Sequence, residues 1–415
     1  MPMNSELKPK IRFKGFTDDW EQRKFEDWGT FYYGHSCPKW SVTENSTIPC
    51  IRYGELYTKF GEKINEVYSY TNISPDKLRF SKGTEVLIPR VGEDPMDYTH
   101  CTWLSLKNVA IGEMISVFNT NQNPLFSAIM FNATLQKEFA IRVEGSSVTN
   151  LYYEKLKDIN IKYPKIIEQE KISCLFDNLD NLITLHQRKC DKLVELKKSL
   201  LEKMFPQNNS VIPEIRFRGF TDDWEQRKLE EFGKYTGGTS IESEFEENGK
   251  YKVISIGSYS ETSKYNDQGI RCKVSDKTIS KVLNKDDLTM ILNDKTASGN
   301  IIGRVLIIDK SGEYVYNQRT ERIEPNIQEY NPQFLYHMLN APNIRKKIIK
   351  QSQGNTQIFV NWTGIQKLEY LVPKMCEQIN LAKLIGNIDN LITLHQRKHD
   401  KLNKIKQSLL NDMFV

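Results

Sequence analysis

Two stretches of the chain carry apolar residues at alternating steps of four and three. Leu175, Leu179, Leu182, His186, Lys189, Leu193, Leu196 and Leu200 form one series. Leu384, Ile388, Leu391, His395, Lys398, Leu402, Ile405 and Leu409 form the other. That spacing is the seam of a coiled coil. It predicts two long helices, over 164–206 and 373–415. Pro164 and Pro373 stand at their starts, where proline suits a first turn. At 1.5 Å per residue the first helix spans roughly 60 Å. Neither helix is stable alone, because its apolar seam must be buried. Each is the obvious antiparallel partner of the other. The remaining faces mix acidic and basic residues, as a solvated surface does.

The two helices are copies. Asp180-Asn181-Leu182-Ile183-Thr184-Leu185-His186-Gln187-Arg188-Lys189 recurs unchanged at 389–398. Asp191-Lys192-Leu193 returns at 400–402, Ser199-Leu200-Leu201 at 408–410, and Met204-Phe205 at 413–414. A second repeat lies upstream of each helix: Gly-Phe-Thr-Asp-Asp-Trp-Glu-Gln-Arg-Lys at 15–24 and again at 219–228, preceded by Ile11-Arg12-Phe13 and Ile215-Arg216-Phe217. A repeat this close fixes the architecture.

Between each short block and its helix lies a divergent region, 29–163 and 233–372, each long enough for its own core. They keep faint landmarks. Ile51-Arg52-Tyr53-Gly54-Glu55-Leu56 has the pattern of Ile254-Ser255-Ile256-Gly257-Ser258-Tyr259. Glu85-Val86-Leu87-Ile88 matches Leu288-Thr289-Met290-Ile291, both short strands before a polar loop with glycine. Gly145-Ser146-Ser147 aligns with Gly354-Asn355-Thr356. The expected fold is α+β: two mixed α/β domains separated by two long antiparallel coiled-coil helices, with a pseudo-twofold repeat. The expected segments are a repeated block (1–28), a first domain (29–163), a central helix (164–206), a connector with the second block (207–232), a second domain (233–372) and a C-terminal helix (373–415).

The polar layer in each seam has two readings. His186 and Lys189, with His395 and Lys398, fix the register of the pair at some cost in stability. Alternatively His395, His399, His186 and Cys190 offer metal-ligand types, but Lys189 and Lys398 would place positive charge beside the ion. Register is the favoured reading, with no metal.

Composition narrows the classes. Seven cysteines lie scattered without CxxC pairing in a chain of 415 residues, which points to a reduced, cytoplasmic protein. No apolar run approaches the roughly 18 residues of a membrane span, and residues 1–10 lack a signal-peptide core. A net charge of +5 permits a polyanionic partner without proving one.

No catalytic constellation is found. Asn123-Pro124-Leu125-Phe126 approaches the Asn/Asp-Pro-Pro-aromatic motif of amino-methyltransferases but lacks the second proline and any glycine-rich cofactor loop. Residues 298–303 lack the spacing of a phosphate loop. What is present suits duplex reading. Arg52, Arg90, Arg142, Arg304, Arg319 and Arg322 fall near expected strand ends and loops, where arginine can address guanine edges or phosphates. Asn317 and Gln318 can address adenine, and Lys350, Gln353 and Asn355 belong to a polar loop. For any one of these a solvated surface role is the simpler reading.

The duplicated helices, the two Gly-Phe-Thr-Asp-Asp-Trp-Glu blocks and the divergent regions between them resemble, over essentially the whole chain, the specificity subunit of type I restriction–modification systems. The resemblance implies a non-catalytic subunit. Each divergent region would be a target recognition domain reading one half of a split, asymmetric DNA site. The helices would set the gap between the halves. Two modification subunits, binding S-adenosylmethionine, would dock on the helices and methylate adenine N6. Two restriction subunits, using ATP and Mg, would complete the nuclease. This chain would carry no cofactor of its own. Gln187, Arg188, Lys192 and their copies Gln396, Arg397 and Lys401 are the expected docking residues, because packing does not explain exposed identities. The rival is a stand-alone coiled-coil adaptor or DNA-binding regulator without an enzyme partner.

Overall fold

The computed structural model describes residues 7–207 and 210–414. The first six residues, two connector residues and Val415 lie outside the described residues. The chain divides into two compact units, residues 1–186 with 398–415 and residues 187–397, so that the division crosses both long helices.

In the first unit a five-stranded sheet runs in the order Gly29–Tyr33, Ile115–Thr120, Glu85–Pro89, Thr102–Leu104, Lys63–Ile64. The second unit has four strands in the matching order: Gly233–Gly237, Thr320–Pro325, Leu288–Ile291, Val305–Ile307. The two landmark strands, Glu85–Pro89 and Leu288–Ile291, are buried along their whole length, as a central strand covered on both faces must be. A helix covers one face of each sheet, Pro124–Thr134 in the first unit and Pro332–Asn340 in the second. Both start identically. Asn123 Oδ1 accepts from Phe126 N at 2.9 Å, and Asn331 Oδ1 accepts from Phe334 N at 2.9 Å, with proline in the first turn. The Asn-Pro-x-Phe sequence that looked like a broken catalytic motif is a duplicated helix cap.

The short repeated block is a clamp. Its strand, Glu21–Lys24 or Glu225–Lys228, pairs antiparallel with the strand before the long helix, Asn160–Tyr163 or Glu369–Val372. Its tryptophan, Trp20 or Trp224, is buried in the unit's core. Its arginine grips the first turn of the long helix. Arg12 Nε and Nη2 reach the Glu168 carboxylate at 2.6 and 2.7 Å, and Arg216 reaches Glu377 at 2.8 and 2.8 Å. Planar guanidinium and carboxylate match in such a fork. The glutamine that follows ties helix to domain. Gln169 Oε1 accepts from Asn123 N and Gln378 Oε1 from Asn331 N, at 3.0 and 2.8 Å. The helices themselves cover Ile166–Lys203 and Met375–Met413. Pro164 and Pro373 fall two residues before the first helical residue, and their carbonyls accept from Gln169 and Gln378 Nε2 at 2.8 and 2.9 Å.

Within each unit the two long helices run antiparallel. In the first, Phe176 packs on Phe414 and both share one core with Trp20 and Phe126. In the second, Phe205 packs on Trp224 and Phe334. Each repeated Met-Phe thus plugs the core of the unit built on the other helix's start. The seam differs from the expected one at alternate steps. Phe176, Leu179, Ile183, His186, Cys190, Leu193 and Lys197 face inward, as do Ile385, Ile388, Ile392, His395, His399, Leu402 and Lys406. Leu182, Lys189, Leu196, Leu391, Lys398 and Ile405, each one residue away, are exposed. The leucine spacing traced one true seam row and its flank. The other true row mixes Phe, Ile, Cys, His and Lys, so hydrophobicity alone does not reveal it. Lys189 and Lys398 therefore sit on the surface, while His186 and His395 stay half-buried. No group of three or more His, Cys, Asp or Glu side chains among the described residues is placed to hold a metal ion.

The charges that do tie the helices together are again copies. In the first unit Lys406 Nζ meets Asp180 at 2.6 Å and the Glu62 oxygens at 2.9 and 3.0 Å. In the second, Lys197 Nζ meets the Asp389 oxygens at 2.7 and 2.8 Å. Lys197 and Lys406 occupy equivalent places in the repeat, as do Asp180 and Asp389.

Candidate nucleic-acid interface

Beyond each central strand the chain forms a loop that is tied down by a small hairpin. In the first unit Val91–Gly92 pairs with Thr149–Asn150, and a bridge joins Glu144 to Asn150. In the second, Asn293–Asp294 pairs with Ile358–Phe359, and a bridge joins Gln353 to Phe359. Gly145 and Gly354 make the turns, at φ +109° and +98°. A Cβ there would lie 2.5 Å from the Val148 carbonyl oxygen and 2.1 Å from that of Gln357. Only glycine fits.

The backbone device is shared, and the side chains on it are not. The first unit places Glu93, Asp94 and Asp97 on its loop and Glu144 on its hairpin. The second places Lys295, Thr296, Ser298 and Asn300 on the loop and Gln353, Asn355 and Gln357 on the hairpin. There Asp294 organises the loop, accepting from Thr296 N at 2.9 Å and Ile301 N at 3.0 Å. A cleft of about 370 Å³ opens between loop and hairpin, lined by Ser255, Asn293, Lys295, Asn317, Gln318, Arg319 and Gln357 among others. Asn317 is held from below: its Nδ2 donates to Glu242 at 2.9 Å and its Oδ1 accepts from Gln318 N at 2.7 Å. Gln318 and Arg319 are exposed. With its amide turned to suit both neighbours, Asn293 accepts from Arg319 Nη1 at 3.0 Å.

Of the residues singled out in the sequence, Asn317, Gln318 and Arg319 share this cleft. Gln353 and Asn355 stand exposed on the adjoining hairpin, and Lys350 is exposed just before it. Other arginines are occupied in packing. Arg322 pairs with buried Asp287 at 2.9 Å. Arg90 lies over the rings of Tyr33 and Tyr152, 5.0 and 5.7 Å from their centres. Arg142 pairs with Glu138 one helical turn earlier. Arg304 rests on Ser263 Oγ and the Asn300 carbonyl at 3.0 and 3.3 Å. Arg52 precedes the short helix Tyr53–Thr58, its backbone N–H donating to Glu55 at 2.8 Å. Lys295, Asn293, Ser255 and Gln357 escaped the sequence reading. The available signal was their place in the polar loop after the second landmark strand.

The helices present a second surface. Arg188, Lys192, Gln396, Arg397 and Lys401 are exposed, and Gln187 is half-buried with its Nε2 donating to Asp191 at 2.8 Å. Beside them lie apolar residues exposed to the same degree in both copies: Leu182 43% and Leu391 44%, Leu185 44% and Leu394 45%. Leu196 and Ile405 add 47% and 38%. A stripe three rows wide, with one row bare, is the pattern of a helix that belongs to a larger bundle rather than to a two-stranded coil.

Comparison with known proteins agrees with this arrangement. Residues 221–404 match the family described as Type I restriction modification DNA specificity domain. The chain is 23% identical over 320 residues to the type I restriction enzyme MjaVIII specificity subunit of Methanocaldococcus jannaschii, covering 74% of each. It is 23% identical over 425 residues to the MjaIX specificity subunit of the same organism, covering 94% of this chain and 92% of that one. The crystal structure of a type I restriction–modification S subunit from M. genitalium superposes with a TM-score of 0.65 at 14% identity, over 99% of both chains. The last likeness shows the fold, two mixed domains and two long helices. The specificity-domain match over residues 221–404 and the relatives make this chain similar, over most of its length, to the specificity subunits of type I restriction–modification systems.

Proposed function

We infer that this chain is the DNA sequence-specificity subunit of its system, each mixed domain reading one half of a bipartite, asymmetric site. One observation carries this reading: a duplicated scaffold repeats its clamps, caps and glycine turns residue for residue, and differs in the side chains those turns present. Two readers on one scaffold with unlike surfaces suit two unlike half-sites. The second-unit cleft supplies groups that suit base edges, Arg319 for guanine and Asn317, Gln318 or Gln357 for adenine. The subunit itself is non-catalytic.

The finer assignment follows the family. The long helices act as the spacer between half-sites. Their paired bare rows, centred on Leu182 with Leu185 and on Leu391 with Leu394, dock two copies of one partner, a modification subunit that carries S-adenosylmethionine and methylates adenine N6. Arg188, Lys192, Arg397 and Lys401 border those rows. Flipping the target base out of the stack falls to that partner. Two restriction subunits with ATP and Mg complete the assembly. The free state of all seven cysteines suits a reducing cytoplasm, and no helix among the described residues is long and apolar enough to cross a membrane.

Arg319→Ala and Gln357→Ala test the cleft. A lost bidentate base contact costs about 1–3 kcal/mol of discrimination, so each variant relaxes the readout at one position of one half-site. Unchanged selectivity at every position would remove the cleft from the interface.

A further inference from the structure

Each clamp is a sheet of two strands, so the strand before the long helix keeps one edge unpaired by any other strand. In the second unit the register fixes which groups lie on that edge. Leu229 N donates to the Leu368 carbonyl at 3.0 Å, and the ladder continues with Arg227 opposite Tyr370 and Glu225 opposite Val372. Bonded and non-bonded pairs alternate in an antiparallel ladder. The backbone groups of Glu369 and Leu371 therefore point away from the partner strand. Lys347 Nζ meets the Glu369 carbonyl there at 2.6 Å. The N–H and carbonyl of Leu371 have no partner among the described residues.

A groove of about 580 Å³ opens along this edge, lined on the strand side by Glu369, Tyr370 and Leu371. The helix Pro342–Ile349 forms its other wall. Asn343, Lys346, Lys347 and Lys350 line the groove from that helix and its end, and their spacing sets them on one stripe. Lys346 and Lys350 are exposed, and neither forms an ion pair among the described residues. The one carboxylate in the lining, Glu369, accepts from Gln226 Nε2. Three lysines thus face one glutamate that is already engaged.

The first unit has a groove at the matching place with a different charge. Phe25 N donates to the Ile159 carbonyl at 2.8 Å, so the strand edge is phased as in the second unit. Asp158, Asn160 and Lys162 line the groove on the strand side, and Glu138 and Arg142 on the helix side, around about 300 Å³. Two acids there offset two cations. The phased strand is common to both units, and the lysine stripe belongs to one.

We propose that the second-unit groove docks an acidic, extended segment of a partner protein, which adds to the clamp as a third strand. The segment's backbone pairs with the Leu371 N–H and carbonyl, and its carboxylates lie against Lys346 and Lys350. A free sheet edge is a template for strand addition, and charge selects what is added. A DNA phosphate suits the place less well: it can only accept, and it leaves the Leu371 carbonyl unmatched. Docking here places the partner on the strand that leads directly into the second long helix.

The test is calorimetric titration of the full chain with an end-blocked peptide that alternates aspartate with valine. One peptide binds per chain, and the counterpart that alternates lysine with valine does not bind. Methylating the peptide nitrogens weakens the acidic peptide at least tenfold. Lys346→Glu combined with Lys350→Glu, both at exposed positions, also weakens it at least tenfold. Leu371→Pro removes the edge N–H where an edge strand tolerates proline and has the same effect; the methylated peptide makes that test from the ligand side if this variant fails to fold. The proposal is overturned if the acidic peptide does not bind, if its methylated form binds equally well, or if the double lysine variant leaves the affinity unchanged. It is also overturned if duplex DNA displaces the peptide and itself binds the double variant at least tenfold more weakly, which would assign the lysines to phosphates.

Discussion

The two lysine–aspartate links between the helices are the same device in different company. Lys406 with Asp180 has Glu62 as a third member; Lys197 with Asp389 has His337 beside it. The helices contribute the repeated half of each link, and the domains contribute the half that differs. Like charges press on Asp180, whose carboxyl is raised to about 6 by burial first and then by Glu62. His337 is pushed the other way by burial. Duplication has preserved what holds a domain to its helix and has released what the domain places nearby. The loops and their hairpins repeat the lesson, one backbone device carrying acids in one unit and amides with a lysine in the other.

The clamps should be equal if that account holds. Arg12→Ala and Arg216→Ala each leave an almost fully buried glutamate without its cation. Each should cost about 3–5 kcal/mol, read as faster hydrogen exchange in the first turns of the corresponding long helix. A large loss at one and none at the other would break the equivalence. The links should be unequal. Lys406→Met strands two carboxylates in contact, at about 3 kcal/mol or more; Lys197→Met strands the one partly exposed Asp389, at about 1 kcal/mol. The gap between the two variants should narrow on going from pH 7 to pH 5, as Asp180 takes up a proton.

His337 gives the comparison a pH signature. Its folded pKa lies at about 4, below the ordinary 6.5. The unfolded chain therefore binds the proton first, and the stability tied to neutral His337 is present above pH 6.5 and is lost as pH falls towards 4. Glu321 in the same unit is raised to about 7 by burial and works in the opposite sense, so the informative quantity is the difference between wild type and His337→Gln. That difference should change by up to about 3 kcal/mol between pH 6.5 and 4; a flat difference would mean that His337 is solvated. At the smallest scale, Gly354→Ala should cost about 1–3 kcal/mol through backbone strain and blur the half-site read by the second unit, leaving the other half sharp. Equal blurring of both halves would contradict the separation.

Much of this architecture was legible in the sequence, because duplication displays its own alignment. The two long helices, the landmark strands and the correspondence of Gly145 with Gly354 all stand out in that way. The seam was not fully legible. Leucines at 182, 196 and 391 mark a bare flank, whereas Phe176, Cys190, Lys197 and His399 occupy a buried row that hydrophobicity does not mark. The Arg12–Glu168 fork joins residues far apart in sequence, and nothing local signals it. The cap at Asn331 could have been found from Asn123, since Asn-Pro-x-Phe occurs in both halves. The second-unit cleft was half visible: Asn317, Gln318 and Arg319 drew notice by type, while Lys295 and Gln357 reach it only through the fold.

The central claim is that each domain reads its own half-site. The direct measurement replaces residues 29–163 with the corresponding region of a relative, supplies a modification subunit, and maps N6-methyladenine on DNA by single-molecule sequencing. The account predicts a new sequence in one half of the methylated motif, with the other half and the gap unchanged. A motif altered in both halves, or in neither, would contradict it.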